Sequence, residues 1–321
     1  MSFKYSVETD GITQSLLGTF LQCRQKSKWS IEGWTSKYAS MGLTYGTIGH
    51  AVLERAYTDI QSRKLKEMPS KQQVLKYVAQ VEAIWKKENP RADAKSLEFL
   101  ELSCLIAEAT LPLYFEYWVK DLKEMKWIAL EHEFKIPYIT RNGLKTVLRG
   151  KMDGVFCNPK KIWLFESKFK SRIDEEDLID TLSFDFQVLF YLYVLKVLRK
   201  IEPAGFLYNI VRRVNLKQGA KESIPEFAKR CVDDITNRPE FYFIRREVSI
   251  GKEEMVVFEK ELDGLITDFI SWATGKANHY KNTNSCIDKY GRCGYLNLCA
   301  NLGTGSYVKR ETMFRELGEI A

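Results

Sequence analysis

Between His50 and Asn142 the chain contains no glycine. Apolar residues recur there every three or four positions, as in KQQVLKYVAQVEAIWKK and AKSLEFLELSCLIAEATLPLYFEYWVKDL, which is the period of an amphipathic helix. Pro69, Pro90 and Pro112 break or kink the run. The pattern predicts a helical region over 50–123, with His50 opening the helix HAVLERAYTDI. Ahead of it a short helix within 11–29 and a Gly-, Ser- and Tyr-rich loop from Ser30 to Gly49 are expected. The period then changes. Segments 126–139, 144–156 and 161–169 read as strands, with turn signals at Asn142-Gly143 and Asn158-Pro159. A helix over 182–200, strands over 204–213 and 241–250, and a helix over 253–277 follow. Helices and strands in this order imply an α/β fold, a mixed sheet flanked by helices, with its core in 126–213 and a helical insertion. Repeats, low-complexity segments and flexible linkers are absent, so 1–321 reads as a single domain.

Composition narrows the class. The chain has 321 residues, 45% hydrophobic and 28% charged, which excludes disorder, collagen and coiled coil. The longest apolar run, Val188 to Leu195, falls far short of the roughly 20 residues of a membrane span. Met1 to Asp10 shows no signal-peptide pattern, so an intracellular, cytoplasmic protein without membrane contact is expected. Forty-nine basic against 42 acidic residues give a net charge of +7. That permits nucleic acid as a partner without requiring it. Seven cysteines, an odd number in an intracellular chain, argue against a disulfide framework.

Three features carry chemistry. Glu166 and Lys168 are two apart on a strand and share a face. With the hairpin turn centred between Pro159 and Lys160, Asp153 falls directly opposite Glu166. Two adjacent carboxylates repel unless a cation lies between them, and such oxygen ligands suit Mg²⁺ or Mn²⁺. Glu166 and Lys168 also follow the continuous apolar run Ile162–Phe165, where charge is costly. A salt-bridged hairpin with exposed charges is the plainer alternative. Second, Gln187 and Tyr191 lie one helical turn apart, and Gln187 interrupts an apolar stripe. Third, His50 opens a helix after Gly46 and Gly49, and an imidazole can join two carboxylates as a metal ligand. A lone histidine is also commonly structural.

Taken together, Gly49-His50, Gly150-Lys151-Met152-Asp153, Glu166-Ser167-Lys168 and Gln187-Val188-Leu189-Phe190-Tyr191 resemble the ordered signature of the RecB-like branch of the PD-(D/E)xK nuclease superfamily. The resemblance covers about residues 11–213. It implies a restriction-endonuclease-like core in which His50, Asp153, Glu166 and the Ser167 carbonyl bind one or two divalent metals. Lys168 would position and activate water, while Gln187 and Tyr191 order the site or the strand. Phe184, Asp185 and Asn209 also look family-like. The cysteines extend the likeness to iron–sulfur members of this branch, which include CRISPR-associated, AddB-type and phage exonucleases. Those members carry one cysteine before the core and three after it, matching Cys23, Cys286, Cys293 and Cys299. The resemblance thus implies a 4Fe–4S cluster in segment 278–303, joined to Cys23, with four-cysteine Zn²⁺ as the rival. The first C-terminal gap is longer than the common family spacing, and Arg24 stands where many members have proline. Cys104, Cys157 and Cys231 read as ordinary buried cysteines.

The activity so implied is a metal-dependent DNA exonuclease acting on single strands or ends in recombination, repair or phage DNA metabolism. An endonuclease or nickase with the same site, and a non-catalytic nucleic-acid-binding iron–sulfur protein, are the alternatives. The sequence has no G-x-x-x-x-G-K-S/T phosphate loop, so a helicase or recombination partner would supply any motor. Arg24, Lys26, Lys28, Lys145, Arg149, Lys151, Lys170, Arg172, Arg212 and Arg213 are candidates to line a phosphate path. Trp29, Trp34, Tyr38 and Tyr45 are candidates to stack on bases.

Overall fold

The computed structural model describes residues 4–37, 41–90, 92–158, 161–200, 202–288, 291–314 and 317. Two short helices lead the chain, α1 (Gln14–Gln22) and α2 (Arg24–Ile31). The single helix expected over 11–29 is broken at Cys23, whose backbone is extended. A short strand, β1 (Trp34–Ser36), follows. The next helix, α3 (Met41–Gln61), starts well before His50, so 41–49 is helix rather than loop. Its glycines each cost about 1 kcal/mol in a helix. Complete burial of Tyr45 and Ile48 offsets that cost. Gly49 has a packing reason as well, because a Cβ there would run into the Phe169 ring.

Helix α4 (Lys71–Glu88) begins just after Pro69 with a Ser70–Gln73 capping box. Helix α5 (Ala94–Tyr117) is capped by Asp93 and carries Pro112 inside it. A single turn, α6 (Asp121–Glu124), leads into β2 (Lys126–Ile139), β3 (Lys145–Asn158) and β4 (Lys161–Lys170). These strands lie within two residues of their expected bounds. Helix α7 (Glu175–Thr181), absent from the sequence reading, comes next. The helix expected at 182 begins later, as α8 (Phe186–Arg199), because Asp185 caps it and Leu182–Phe184 form a 3-10 turn. Strand β5 (Gly205–Arg212), helix α9 (Ile224–Asn237), the turn α10 (Pro239–Tyr242), β6 (Phe243–Ser249) and α11 (Lys252–Ala273) complete the core. The C-terminal part holds β7 (Ile287–Asp288), β8 (Gly291–Arg292), α12 (Leu296–Cys299) and β9 (Tyr307–Lys309).

Strands β2-β3-β4-β5-β6 form one sheet in that order. Only β4 and β5 run parallel within it. Alternate residues of β4 enter different cores, as a two-residue repeat demands. Leu164 packs with Leu17, Phe190 and Ile266 from α1, α8 and α11. Trp163 and Phe165 pack with Val52, Val78, Leu111 and Phe227 from α3, α4, α5 and α9. The helical region 50–123 therefore covers one face of the sheet, with α3, α4 and α5 as its layer. Each fully buried large apolar side chain contributes about 1.5–3 kcal/mol. The chain ends are tied by the β1–β9 pairing, with Thr35 opposite Val308.

Candidate active site

The register around Asp153 organises the centre of the molecule. Five pairs, Gly154↔Phe165 to Asn158↔Lys161, hold the β3–β4 ladder in the register anticipated from the hairpin. The next pair would be Asp153 and Glu166. There the strands part, and Asp153 Oδ2 accepts a hydrogen bond from the Ser167 N–H at 2.7 Å. On the other edge of β3, Leu130↔Gly154 and His132↔Met152 bracket Asp153 and place Glu131 beside it. Glu131 has a positive φ of 43° within the strand, a costly conformation for a residue with a Cβ. A row of three carboxylates, Glu131–Asp153–Glu166, thus crosses three adjacent strands.

Helix α3 brings His50 to this row, with Nδ1 3.4 Å from Asp153 Oδ2. His50, Glu131 and Asp153 place one ligand atom each within 4.8 Å of one another. Glu166 is not part of that group among the described residues. It lies at the far edge of the row, on the β4 side, with Lys168 two residues on. Lys168 Nζ donates to Glu166 Oε1 at 2.5 Å and to Gln187 Oε1 at 2.7 Å. Gln187 in turn hydrogen-bonds Tyr191, one turn further along α8. Tyr191 packs edge-on against Phe134. A Cβ on Gly150 would strike the Phe134 ring and crowd Tyr191. Glycine three residues before Asp153 is therefore what lets α8 approach β3.

Burial without full pairing shapes the charges. Glu166 is 1% exposed, and its Oε2 is buried with no hydrogen-bond partner. Such an orphan requires an explanation, commonly an ion or water. Burial pushes Asp153 up to about 6. Burial, reinforced by the Asp153 charge, pushes both Glu166 and Glu131 up to about 7. Burial also lowers His50, which favours the neutral, ligating imidazole. Burial opposes the Lys168 ammonium, but the Glu166 charge prevails and holds it protonated. Hard oxygen donors plus one imidazole, with a carboxylate oxygen left over, fit Mg²⁺ or Mn²⁺.

A model of the PD-(D/E)XK nuclease superfamily matches residues 12–300. The chain belongs to that superfamily. It is a family of metal-dependent nucleases, and the carboxylate row lies within the matched segment. Thirteen solved chains resemble the molecule. One is the Eubacterium rectale protein named "Putative exonuclease", 12% identical, with a TM-score of 0.50 over 97% of this chain and 94% of that one. At that identity the likeness concerns the fold. No curated protein matches.

Around this nuclease core lies a support of which the sequence singled out only Asn209, without a role. Asn209 on β5, fully buried, donates to Ser167 Oγ at 3.1 Å and accepts from Arg245 Nε at 2.9 Å. Arg245 forms a two-pronged pair with Asp121, at 2.6 and 2.7 Å, and its guanidinium lies 3.9 Å from the Trp118 ring centroid. Glu131 was missed as well. Within LEHEF it reads as one more exposed charge of an alternating strand. The signal was available: centring the β2–β3 hairpin on Asn142 sets Glu131 opposite Asp153.

Several candidate substrate contacts are engaged elsewhere. Lys151 pairs with Glu131 at 2.6 Å. Arg212 is buried, pairs with Glu175 at 3.0 Å and lies over Phe241. Arg24 lies over Phe20 and Tyr280. Tyr45 is buried against Phe169 and has no face for a base. Trp34 carries Lys309 over its ring. Tyr38 lies outside the described residues.

Cys23, Cys286, Cys293 and Cys299 line one pocket together with Lys26 and Lys281. The Asn282 N–H donates to Cys23 Sγ at 3.3 Å, and Trp29 Nε1 donates to Cys299 Sγ at 3.2 Å. These donors suit thiolates. A tetrahedral zinc site, with bonds of about 2.3 Å, requires sulfurs about 3.8 Å apart. Among the described residues no three of these sulfurs lie within 4.8 Å of one another. Cys104 and Cys231 are buried in the helical layer, and Cys157 is half-buried. No helix among the described residues is long and apolar enough to cross a membrane.

Proposed function

We propose that this chain is a divalent-metal-dependent exonuclease that hydrolyses phosphodiester bonds of DNA, on single strands or at ends. One observation carries the reading: Lys168 is fixed by Glu166 and Gln187 beside Asp153, with the second Glu166 oxygen left for a cation. Asp153, Glu166, His50 and the Ser167 carbonyl would hold Mg²⁺ or Mn²⁺. When bound, the cation supplies a lowered water pKa and offsets charge developing on the scissile phosphate. Lys168, held protonated, orients the attacking water by donating to its oxygen. Gln187 fixes the lysine rotamer, and Tyr191 with Phe134 closes the apolar wall behind it, which preorganises the donor.

A groove of about 1150 Å³ supports a strand as substrate. Hydroxyls and cations line it, among them Thr13, Thr44, Thr47, Lys26, Lys37 and Lys309. Thr47 precedes His50 by three residues on α3 and so shares its side of the helix. Such a lining binds a phosphodiester backbone without reading bases.

The N–H donors at Cys23 and Cys299 support a 4Fe–4S cluster in this reading, with four-cysteine Zn²⁺ as the rival. Any helicase action would come from a helicase or recombination partner, and the setting would be the cytoplasm of a prokaryotic or phage-infected cell.

The test is cleavage of end-labelled linear and circular single-stranded DNA, with Mg²⁺, Mn²⁺ or EDTA. Metal-dependent loss of the linear strand alone supports the exonuclease. Loss of the circle too makes it an endonuclease. Absence of cleavage with either metal, alone and with a helicase, overturns the reading in favour of a nucleic-acid-binding protein.

A further inference from the structure

Where β3 and β4 part, β4 carries its chemistry without a ladder partner on that edge. The β3–β4 pairing stops at Gly154↔Phe165, just before Glu166, Ser167 and Lys168. In an extended strand the N–H and C=O of one residue point to the same side. The Ser167 N–H reaches Asp153 Oδ2 at 2.7 Å, so the Ser167 carbonyl faces the same gap. The Ser167 side chain points to the opposite sheet face from Glu166 and Lys168, into the helical layer. There Ser167, Asn209 and Arg245 stand side by side on β4, β5 and β6, paired as Ser167↔Asn209 and Asn209↔Arg245. Asn209 is fully buried, and its Nδ2 donates to Ser167 Oγ at 3.1 Å. Its Oδ1 accepts from Arg245 Nε at 2.9 Å and from the Tyr114 hydroxyl at 3.1 Å. A guanidinium only donates, so the amide oxygen must face Arg245 and the NH₂ end must face Ser167. Arg245 is fixed in turn by both Asp121 oxygens, and Asp121 also accepts from Tyr57 on α3 at 3.0 Å. Well-packed apolar residues often stabilise a core at least as well as a buried ion pair, so stability alone does not call for this network.

We propose that Asn209 is a positioning residue for the reaction. Its amide, locked by Arg245, anchors Ser167 from the helical layer, so that the Ser167 N–H keeps Asp153 in place and the Ser167 carbonyl is presented to the cation. This rests on the metal-dependent reading above. The ladder to β5 holds β4 along one edge only, and the Ser167 Oγ contact is the added restraint at the point where the other edge is open. The same network reaches α3 through Tyr57. His50 and Tyr57 are seven residues apart on that helix and so share a side of it. The helix that brings His50 and the strand that carries Ser167 are therefore referred to one buried polar frame, and a fully satisfied network of this kind is rigid.

The experiment compares Asn209→Ala, Ser167→Ala and the double variant with wild type, each as the full chain. It reads hydrogen exchange at the Ser167 amide in metal-stripped protein, Mn²⁺ affinity by equilibrium dialysis, and kcat and KM on linear single-stranded DNA. Losing a group that orients a metal ligand costs about 10–100-fold in affinity or activity. Asn209→Ala should therefore weaken Mn²⁺ and lower kcat by about tenfold or more, with KM unchanged. Exchange at Ser167 should quicken, while the Val155 and Phe206 amides keep their wild-type rates. Ser167→Ala should do the same, and the double variant should lose no more than either single one, because the same contact is removed twice. Wild-type Ser167 exchange and Mn²⁺ affinity in Asn209→Ala, or equal quickening all along β4 and β5, overturns the proposal and leaves Asn209 as packing alone. Should Asn209→Ala fail to fold, Ser167→Ala decides by the same readouts, since it removes only Oγ. Cleavage separates this claim from the one beneath it. If no protein cleaves but Ser167 exchange and Mn²⁺ affinity respond as stated, the nuclease reading falls and the positioning stands. If wild type cleaves and Asn209→Ala matches its kcat, the positioning falls alone.

Discussion

The carboxylate row and the cysteine corner both gather ligands from distant parts of the chain, but by different means. The row sits on three long hydrogen-bonded strands between two apolar cores. Its geometry is imposed by backbone register, whatever the side chains prefer. The corner is built from elements of two to four residues, β7, β8 and α12, docked on the N-terminal helices. Leu298 and Tyr307 are among its few buried apolar residues. The row therefore tolerates loss of a ligand as a fold and fails as a site. On the proposed reading, the corner would depend on the cluster held by its four cysteines to stay folded.

Breaking the row should have the largest effect. Glu166→Gln is expected to reduce cleavage roughly a thousandfold, since a catalytic cation supplies several kcal/mol. The thermal midpoint should stay level or rise, because a buried carboxylate is removed. A collapsed midpoint would show that the row is structural. In the corner the order reverses. Cys293→Ser should lower stability by about 2–5 kcal/mol, the scale for losing a cross-link between distant segments, while Mn²⁺ affinity at the row stays within a factor of about three. Parallel loss of both would mean that the two regions form one cooperative unit.

Acidity sharpens the comparison further. Glu166 titrates at about 7 in the fold against an ordinary value near 4.5. A raised carboxylate destabilises the fold once ionised, so the penalty is absent below about 4.5 and complete above about 7. The stability gap favouring Glu166→Gln over wild type should open by about 3 kcal/mol across that window in metal-free protein. Denaturant melts from pH 4 to 8 measure it, and a gap that closes with rising pH contradicts the charge assignment. The smallest effect is expected for Gln187→Leu. Lys168 keeps Glu166 but loses its second partner, so turnover should fall about tenfold with metal affinity unchanged.

Much of the row was legible because strand period and hairpin register are local. The positions of β2, β3 and β4 and the β3–β4 register as far as Gly154↔Phe165 follow from alternation and turn residues alone, whereas the parting of the strands at Asp153 and Glu166 does not. Other features depend on partners far along the chain. The helix over 41–49 was read as loop because its glycines are poor helix formers, and only the docking of Phe169 against Gly49 explains them. The break at Cys23 places a thiol in the corner, a tertiary cause without a local propensity signal. Tyr45 resembled a stacking residue and Arg212 a phosphate contact, but both are consumed by packing and pairing. The Arg245–Asp121 pair joins residues 124 apart, and no periodicity announces it.

The most direct measurement is an anomalous difference map from crystals grown with Mn²⁺ and collected above the manganese edge. The account predicts density at the row within about 2.3 Å of an Asp153 carboxylate oxygen, and none there in Asp153→Asn crystals. Manganese density elsewhere on the molecule, with the row empty in wild type, would contradict it.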